Sequence, residues 1–251
     1  MRTYVVGSQR QNLTTETRRK GRGGNYTSNR RFSSLQYRVK SEERNRWDIR
    51  YTESPGSWTE PDDFLKRAYD EFLSKIPAGW ALDLAGGAGR NALFLAQRGW
   101  QVRLVDISEV GLGLAEEKAR AMLSSGSQPP SVGKQAYRVS PELMDLNTVT
   151  DLGSELYDLI IVFYFLRREL FPAIVRALKP GGFLIYRTYT IDRMKVPDGP
   201  DDPKYLLQPN ELLRAFSALR ILHYHETTEG KAAAGLVAAK SSQPSAPGIQ
   251  P

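Results

Sequence analysis

The stretch that most restricts this chain runs from Trp80 to Ser108. A short apolar run, Trp80-Ala-Leu-Asp83-Leu, ends around an acid. A loop of small residues follows (Ala85, Gly86, Gly87, Ala88, Gly89), then an amphipathic run from Arg90 to Arg98. A second apolar run ends in Asp106-Ile107-Ser108. The pattern is strand, loop, helix, strand, with one carboxylate at the carboxyl end of each strand. In open α/β sheets ligands enter at those strand ends, and this unit suits a nucleoside-bearing cofactor.

The flanking segments extend the same alternation. Pro61 opens a helix to about residue 76 whose stripe is Phe64, Leu65, Ala68, Phe72 and Leu73. Ser108 caps a helix that runs through Met122. A third strand is expected over 134–139 and a fourth over 157–165, the latter a near-continuous apolar run fit for a parallel strand covered on both faces. A helix over 169–178 stops at Lys179-Pro-Gly-Gly182, and 183–189 is the fifth strand. Residues 192–202 form an irregular, Pro-containing segment and a candidate lid. After a short helix over 211–216, two strands (220–226 and 233–240) follow one another directly. Five β/α units imply a doubly wound parallel sheet, and the closing pair implies one antiparallel strand at an edge.

Charge divides by segment. The net +7 is the sum of +9 in residues 1–46, where twelve Lys/Arg face three Glu, and −2 in the other 205 residues, which hold 23 basic and 25 acidic side chains. The body is nearly neutral, so nucleic acid is expected to be met, if at all, through the basic segment 1–44, which reads as disordered. Residues 45–240 read as one domain and 241–251 as a polar tail. The basic segment could alternatively serve as an organelle transit sequence. There is no cysteine, which removes thiolate metal sites and a cysteine nucleophile, and no apolar run has membrane-spanning length. The expectation is a cytoplasmic protein with no metal and no membrane contact; oligomeric state is not written in the sequence.

The glycine loop admits two cofactors. Gly87-Ala-Gly89-Arg-Asn-Ala92 satisfies a dinucleotide fingerprint, and Asp106 follows Gly89 by 17 residues, so an NAD-linked oxidoreductase is a rival reading. Asp83 argues against it. An anion beside a loop that presses on a pyrophosphate meets repulsion, whereas S-adenosylmethionine offers an ammonium, a sulfonium and no phosphate. Asp106 can accept the ribose hydroxyls in either case. The alternative for Asp83 is a turn-capping acid that touches no ligand.

Leu82-Asp-Leu-Ala-Gly-Gly-Ala-Gly-Arg90, Val105-Asp-Ile-Ser108, Tyr157-Asp-Leu-Ile-Ile-Val162 and Leu178-Lys-Pro-Gly-Gly-Phe-Leu-Ile-Tyr186 occur in this order. They resemble the motifs of class I S-adenosylmethionine-dependent methyltransferases. Gly89-Arg-Asn-Ala-Leu93, Phe165-Leu-Arg-Arg-Glu-Leu-Phe171 and Leu206-Leu-Gln-Pro-Asn-Glu-Leu212 are similar to the tellurite-resistance-type branch. One departure is Ala85, where many members carry the loop's first glycine. The resemblance implies a Rossmann-like, seven-stranded sheet of order 3-2-1-4-5-7-6 with strand 7 antiparallel. It implies cofactor contacts from Asp83, Ala85, Gly86, Gly87, Gly89, Arg90, Asp106 and Ile107, with Asp145 and Leu146 near the adenine and Phe163 near the methyl group. Trp47, Arg50 and Tyr51 resemble the branch's N-terminal element that folds over the cofactor, with Arg50 set against the methionine carboxylate; plain packing is their alternative.

The expected chemistry is methyl transfer to a small molecule, a soft or anionic nucleophile such as a thiol or a metalloid oxyanion. A general base is needed only if the acceptor arrives protonated; a thiolate or an oxyanion needs none. Tyr164 is the candidate for aligning the reactants. Arg168, Arg187 and Tyr189 are candidates for an anionic acceptor, against the alternative of helix-end charge. His223 and His225 alternate on one strand and share a face, which more often marks a surface feature than a site. Two readings stay beside this one: an RNA methyltransferase using the basic segment, and a non-catalytic protein that binds S-adenosylmethionine.

Overall fold

The computed structural model describes residues 42–124, 138–196 and 202–242. Seven strands form one sheet: β1 (Trp80–Leu84), β2 (Gln101–Asp106), β3 (Val139–Leu143), β4 (Tyr157–Phe163), β5 (Leu178–Tyr189), β6 (Arg220–Glu226) and β7 (Ala233–Ala239). Their order is β3-β2-β1-β4-β5-β7-β6, with β7 antiparallel to both neighbours and every other pairing parallel. This is the Rossmann-like sheet that the resemblance implies.

Side chains alternate between the two faces of each strand, and both faces are covered. On one face Ala81, Leu159, Ile161, Phe163, Ile185 and Val237 pack against α2 (Asp63–Ala68), α3 (Arg90–Gln97) and α4 (Glu109–Ser124). On the other, Leu82, Leu84, Ile160, Val162, Leu184 and Tyr186 pack against α5 (Phe171–Ala177) and α6 (Glu211–Ala215). The central strands are therefore apolar throughout, and their exceptions stand out. Asp83 and Asp106 are buried acids at strand ends.

The elements differ from expectation at several ends. Pro61 does not open its helix; Asp62 caps it, accepting from the Phe64 N–H at 2.9 Å, and the helix widens into a π-type turn over Tyr69–Leu73. The third strand is Val139–Leu143, C-terminal to the expected run, most of which lies outside the described residues. An edge strand pairs on one side only, so it tolerates Pro141 and an exposed face that periodicity overlooks. β4 stops at Phe163 because Tyr164 turns to φ 56°. Leu178 already pairs with Tyr157, so Lys179-Pro-Gly-Gly182 lies inside β5 as an irregularity and not before it. The first helix, α1 (Glu42–Glu53), begins inside the segment read as a tail. Residues 1–41, 243–251 and the middle of the expected lid (197–201) lie outside the described residues. Among those described, no helix is long and apolar enough to cross a membrane.

Candidate active site

The carboxyl ends of β1, β2 and β4 open into a pocket. Of the residues expected at the cofactor and acceptor, Ala85, Gly86, Arg90, Asp106, Ile107, Asp145, Leu146, Phe163, Tyr164, Trp47 and Tyr51 line it. Phe165, beside Tyr164, also lines it; Glu43, Ala88, Asn91, Met144 and Asn147 complete the wall and were not foreseen. Several of these neighbour a predicted residue, so proximity along the chain was the available signal.

Each strand end sets its residues differently. Asp106 closes β2 and accepts the Gly87 N–H and the Ser108 N–H, both at 2.8 Å. Those two bonds hold the glycine loop against β2 and leave lone pairs of the carboxylate for a ligand. Burial pushes the Asp106 carboxyl above the usual carboxylate range, and these N–H groups pull against it. Ala85 stands at φ 56°, a conformation that favours glycine, so the departure from the family pattern falls where a Cβ is least welcome. Asp145 accepts the Asn147 N–H in a tight turn and still faces the pocket.

Asp83 is not a wall residue. It is fully buried, and neither carboxylate oxygen has a hydrogen-bond partner. A Cβ on Gly86 would sit 2.5 Å from its Oδ2, so only the glycine loop separates it from the pocket. Burial, then the charge of Asp106, raises its carboxyl to about 8, with Arg90 and the Ala92 N–H opposing. Of the other loop glycines, Gly87 is packed under Tyr51, and Gly89 forms the left-handed start of α3.

Helix α1 lies across this loop. Tyr51 is its buried residue and stacks on Trp47, ring centroids 6.0 Å apart. A Cβ on Gly87 would collide with the Tyr51 hydroxyl at 1.8 Å, so glycine permits the closure. Asp48 accepts from Ser108 Oγ at 2.6 Å and from the Val110 N–H at 3.2 Å, at the start of α4. Arg44 reaches Glu109 at 2.5 Å, and Glu43 accepts from the Asn147 amide at 3.0 Å. Arg50 is exposed and stacks on Trp47, 5.3 Å from the ring centre, outside the pocket wall.

The structure separates the candidates for an anionic acceptor. Arg168 binds Glu211 through two bonds of 2.6 and 2.9 Å and donates to the Lys204 and Leu206 carbonyls. It is a strut beneath α6 and is not among the residues that line the pocket. Arg187 pairs with the buried Asp62 at 2.9 Å. Asp62 also accepts from the Tyr164 hydroxyl at 2.7 Å. Tyr189 packs on Tyr164, ring centroids 4.9 Å apart. Arg90 and Lys231 lie 5.8 and 5.9 Å from the Tyr164 ring centre, and Arg193 lies 5.5 Å from that of Tyr189. His223 and His225 do share a face, but in a separate groove with Phe64, Arg67 and Phe72. Among the described residues no cluster of three or more His, Asp or Glu could hold a metal ion.

The sheet order, the acid closing β2 and the loop-lined pocket are those of a Rossmann-like fold with a ligand site at its strand ends. Residues 81–182 match the family described as "Methyltransferase domain". The chain is 28% identical over 144 residues to YqeM of Bacillus subtilis, which carries a methyltransferase name, covering 51% of this chain and 52% of the relative. It is 29% identical over 153 residues to TehB of Haemophilus influenzae, named as an S-adenosyl-L-methionine-dependent methyltransferase, covering 58% and 47%. The chain thus spans about half the length of these relatives. The solved structure of that TehB superposes with a TM-score of 0.54 at 19% identity, covering 78% of this chain and 67% of the other.

S-adenosylmethionine fits what surrounds the pocket. An orphaned buried carboxylate lies behind a loop that a Cβ would fill, and a second acid is open to the cavity. A cationic cofactor without phosphates suits both.

Proposed function

We propose that this chain transfers a methyl group from S-adenosylmethionine to a small nucleophile that is soft or anionic, such as a thiolate or a metalloid oxyanion. The observation that carries this reading is the gathering of Arg90, Lys231 and Arg193 around the Tyr164–Tyr189 pair, past the carboxyl ends of β4 and β5 and joined to the pocket through Arg90 and Tyr164. Cations over aromatic faces in a partly dry site attract an anion and lower the cost of removing its water. In this reading Asp106 accepts the ribose hydroxyls, while Asp145 and Leu146 meet the adenine. Gly86 and Ala88 give the methionine moiety room beside the loop, with Asp83 behind them. Trp47 and Tyr51 cover the cofactor from α1. When bound, the cofactor supplies a methyl group on a sulfonium, ready for in-line displacement. The protein's own part is to align the acceptor through Tyr164 and Tyr189 and to exclude water, and an acceptor that arrives ionised needs no base.

Calorimetry with S-adenosylmethionine, S-adenosylhomocysteine and NAD, repeated on Asp106→Ala, tests the cofactor. Binding of the first two, weakened by the substitution, is the expected result. NAD binding with no response to the sulfonium cofactor would remove the proposal. Turnover on a panel of thiols, halides and metalloid oxyanions then identifies the acceptor.

A further inference from the structure

Asp62 is a buried carboxylate that neither the family pattern nor the cofactor contacts above employ. It is 5% exposed and stands between three elements of the site. Its Oδ1 accepts from Arg187 and from the Phe64 N–H, both at 2.9 Å. Its Oδ2 accepts from Tyr164 Oη at 2.7 Å, and the Arg90 guanidinium lies 4.0 Å away. Its own N–H is held by Asn91 Oδ1, from a residue of the pocket wall.

Two facts about Tyr164 give this arrangement direction. Its backbone sits at φ 56°, costly for a bulky L-residue, while its N–H keeps the last bond to the Arg187 carbonyl at 2.8 Å. The strand therefore turns sharply at this residue and sets it in the pocket wall. A tyrosine hydroxyl has one proton and two lone pairs, and the proton is committed to Asp62. Any group in the pocket that reaches this hydroxyl meets oxygen lone pairs, made more electron-rich by a charge-assisted bond to a carboxylate. Burial, then the Asp62 charge, raises the phenol above its ordinary range, so it keeps that proton.

We infer that Asp62 is a positioning residue that, through Tyr164, makes the pocket favour the sulfonium cofactor over its neutral thioether product. The inference rests on the reading of the site as one for S-adenosylmethionine. Methyl hydrogens on a positively charged sulfur are polarised donors, and a hydroxyl oxygen restricted to accepting suits them. The thioether product has neither that charge nor that methyl group. The same device would favour release of the product after transfer.

The test is the ratio of dissociation constants for S-adenosylhomocysteine and S-adenosylmethionine, measured by calorimetry on the wild type, Asp62→Asn, Tyr164→Phe and the double variant. Each single variant is expected to lower the preference for S-adenosylmethionine about fivefold. The double variant should lose no more than Tyr164→Phe, because Asp62 acts through that hydroxyl. A merely structural Asp62 would weaken both ligands equally and leave the ratio unchanged, which overturns the inference. Additive losses in the double variant overturn it too. Should Asp62→Asn not fold, an unchanged ratio in Tyr164→Phe is enough to refute it. If the wild type binds neither ligand, the methyltransferase reading itself falls and takes the inference with it.

Discussion

Asp83 offers a direct measurement of how the fold treats a charge behind the loop. The perturbation is Asp83→Asn, which keeps the shape and removes the titration. The unfolded chain ionises this carboxyl near 3.8, whereas burial and the Asp106 charge raise it to about 8 in the folded protein. Between those values the folded state holds a proton that the unfolded state has released. Stability therefore falls as pH rises through this window, is free of the penalty below it, and bears the full penalty above about 8. Each pH unit inside the window is worth about 1.4 kcal/mol, so from pH 5 to pH 8 the wild type should lose about 4 kcal/mol from this group alone. The assay is urea unfolding of both proteins across that range. Asp106 titrates in both, so the difference between variant and wild type reports Asp83 together with its coupling to Asp106. That difference should grow in favour of the variant by about 4 kcal/mol as pH rises. A difference constant to within about 1 kcal/mol would refute the argument, since it would mean that Asp83 ionises freely in the fold.

Two further outcomes follow from geometry. Ala85→Gly places glycine where φ is 56° and should raise stability by about 0.5–1 kcal/mol, since relief of the left-handed strain exceeds glycine's added chain entropy; thermal unfolding checks this. Arg168→Ala removes a two-bond ion pair and two bonds to carbonyls, leaving Glu211 with the Gln208 N–H, and should cost about 2 kcal/mol. The acceptor KM of that variant should stay at the wild-type value, where a substrate-binding arginine would raise it.

The sheet was legible because its signals are local. The apolar runs have strand length, the loops between them carry glycine or a cap, and two strands in succession can only pair antiparallel. The strand-end acids and the loop were legible for the same reason. What escaped depends on distance along the chain. Asp62 sits 102 residues from Tyr164 and 125 from Arg187. Its sequence neighbourhood, Glu60-Pro-Asp-Asp63, advertises only a helix start, and Asp62 does cap one. Arg168 escaped in the other direction. Arg167 and Arg168 read as one cationic patch, yet the first donates to the Val149 carbonyl and the second to Glu211, so the doublet never acts as a unit.

The three buried aspartates of this site show why residue type alone did not assign them. Asp106 accepts two N–H groups and keeps a side open to the pocket, which is the condition for recognising hydroxyls. Asp62 accepts a phenol, a guanidinium and an N–H, so its charge is already spoken for and can act only through the groups that hold it. Asp83 has no full hydrogen bond, and burial outweighs the opposing Arg90 charge and Ala92 N–H in holding its carboxyl above the usual range. A cation entering beside the loop would supply the compensation that the protein withholds from Asp83. Binding of a cationic cofactor and loss of the Asp83 proton are then one thermodynamic event. The glycines matter to this coupling as much as the acid does. A Cβ at Gly86 would overlap both the Asp83 carboxyl and Leu104, pushing the loop away from the one group whose charge the cofactor could satisfy.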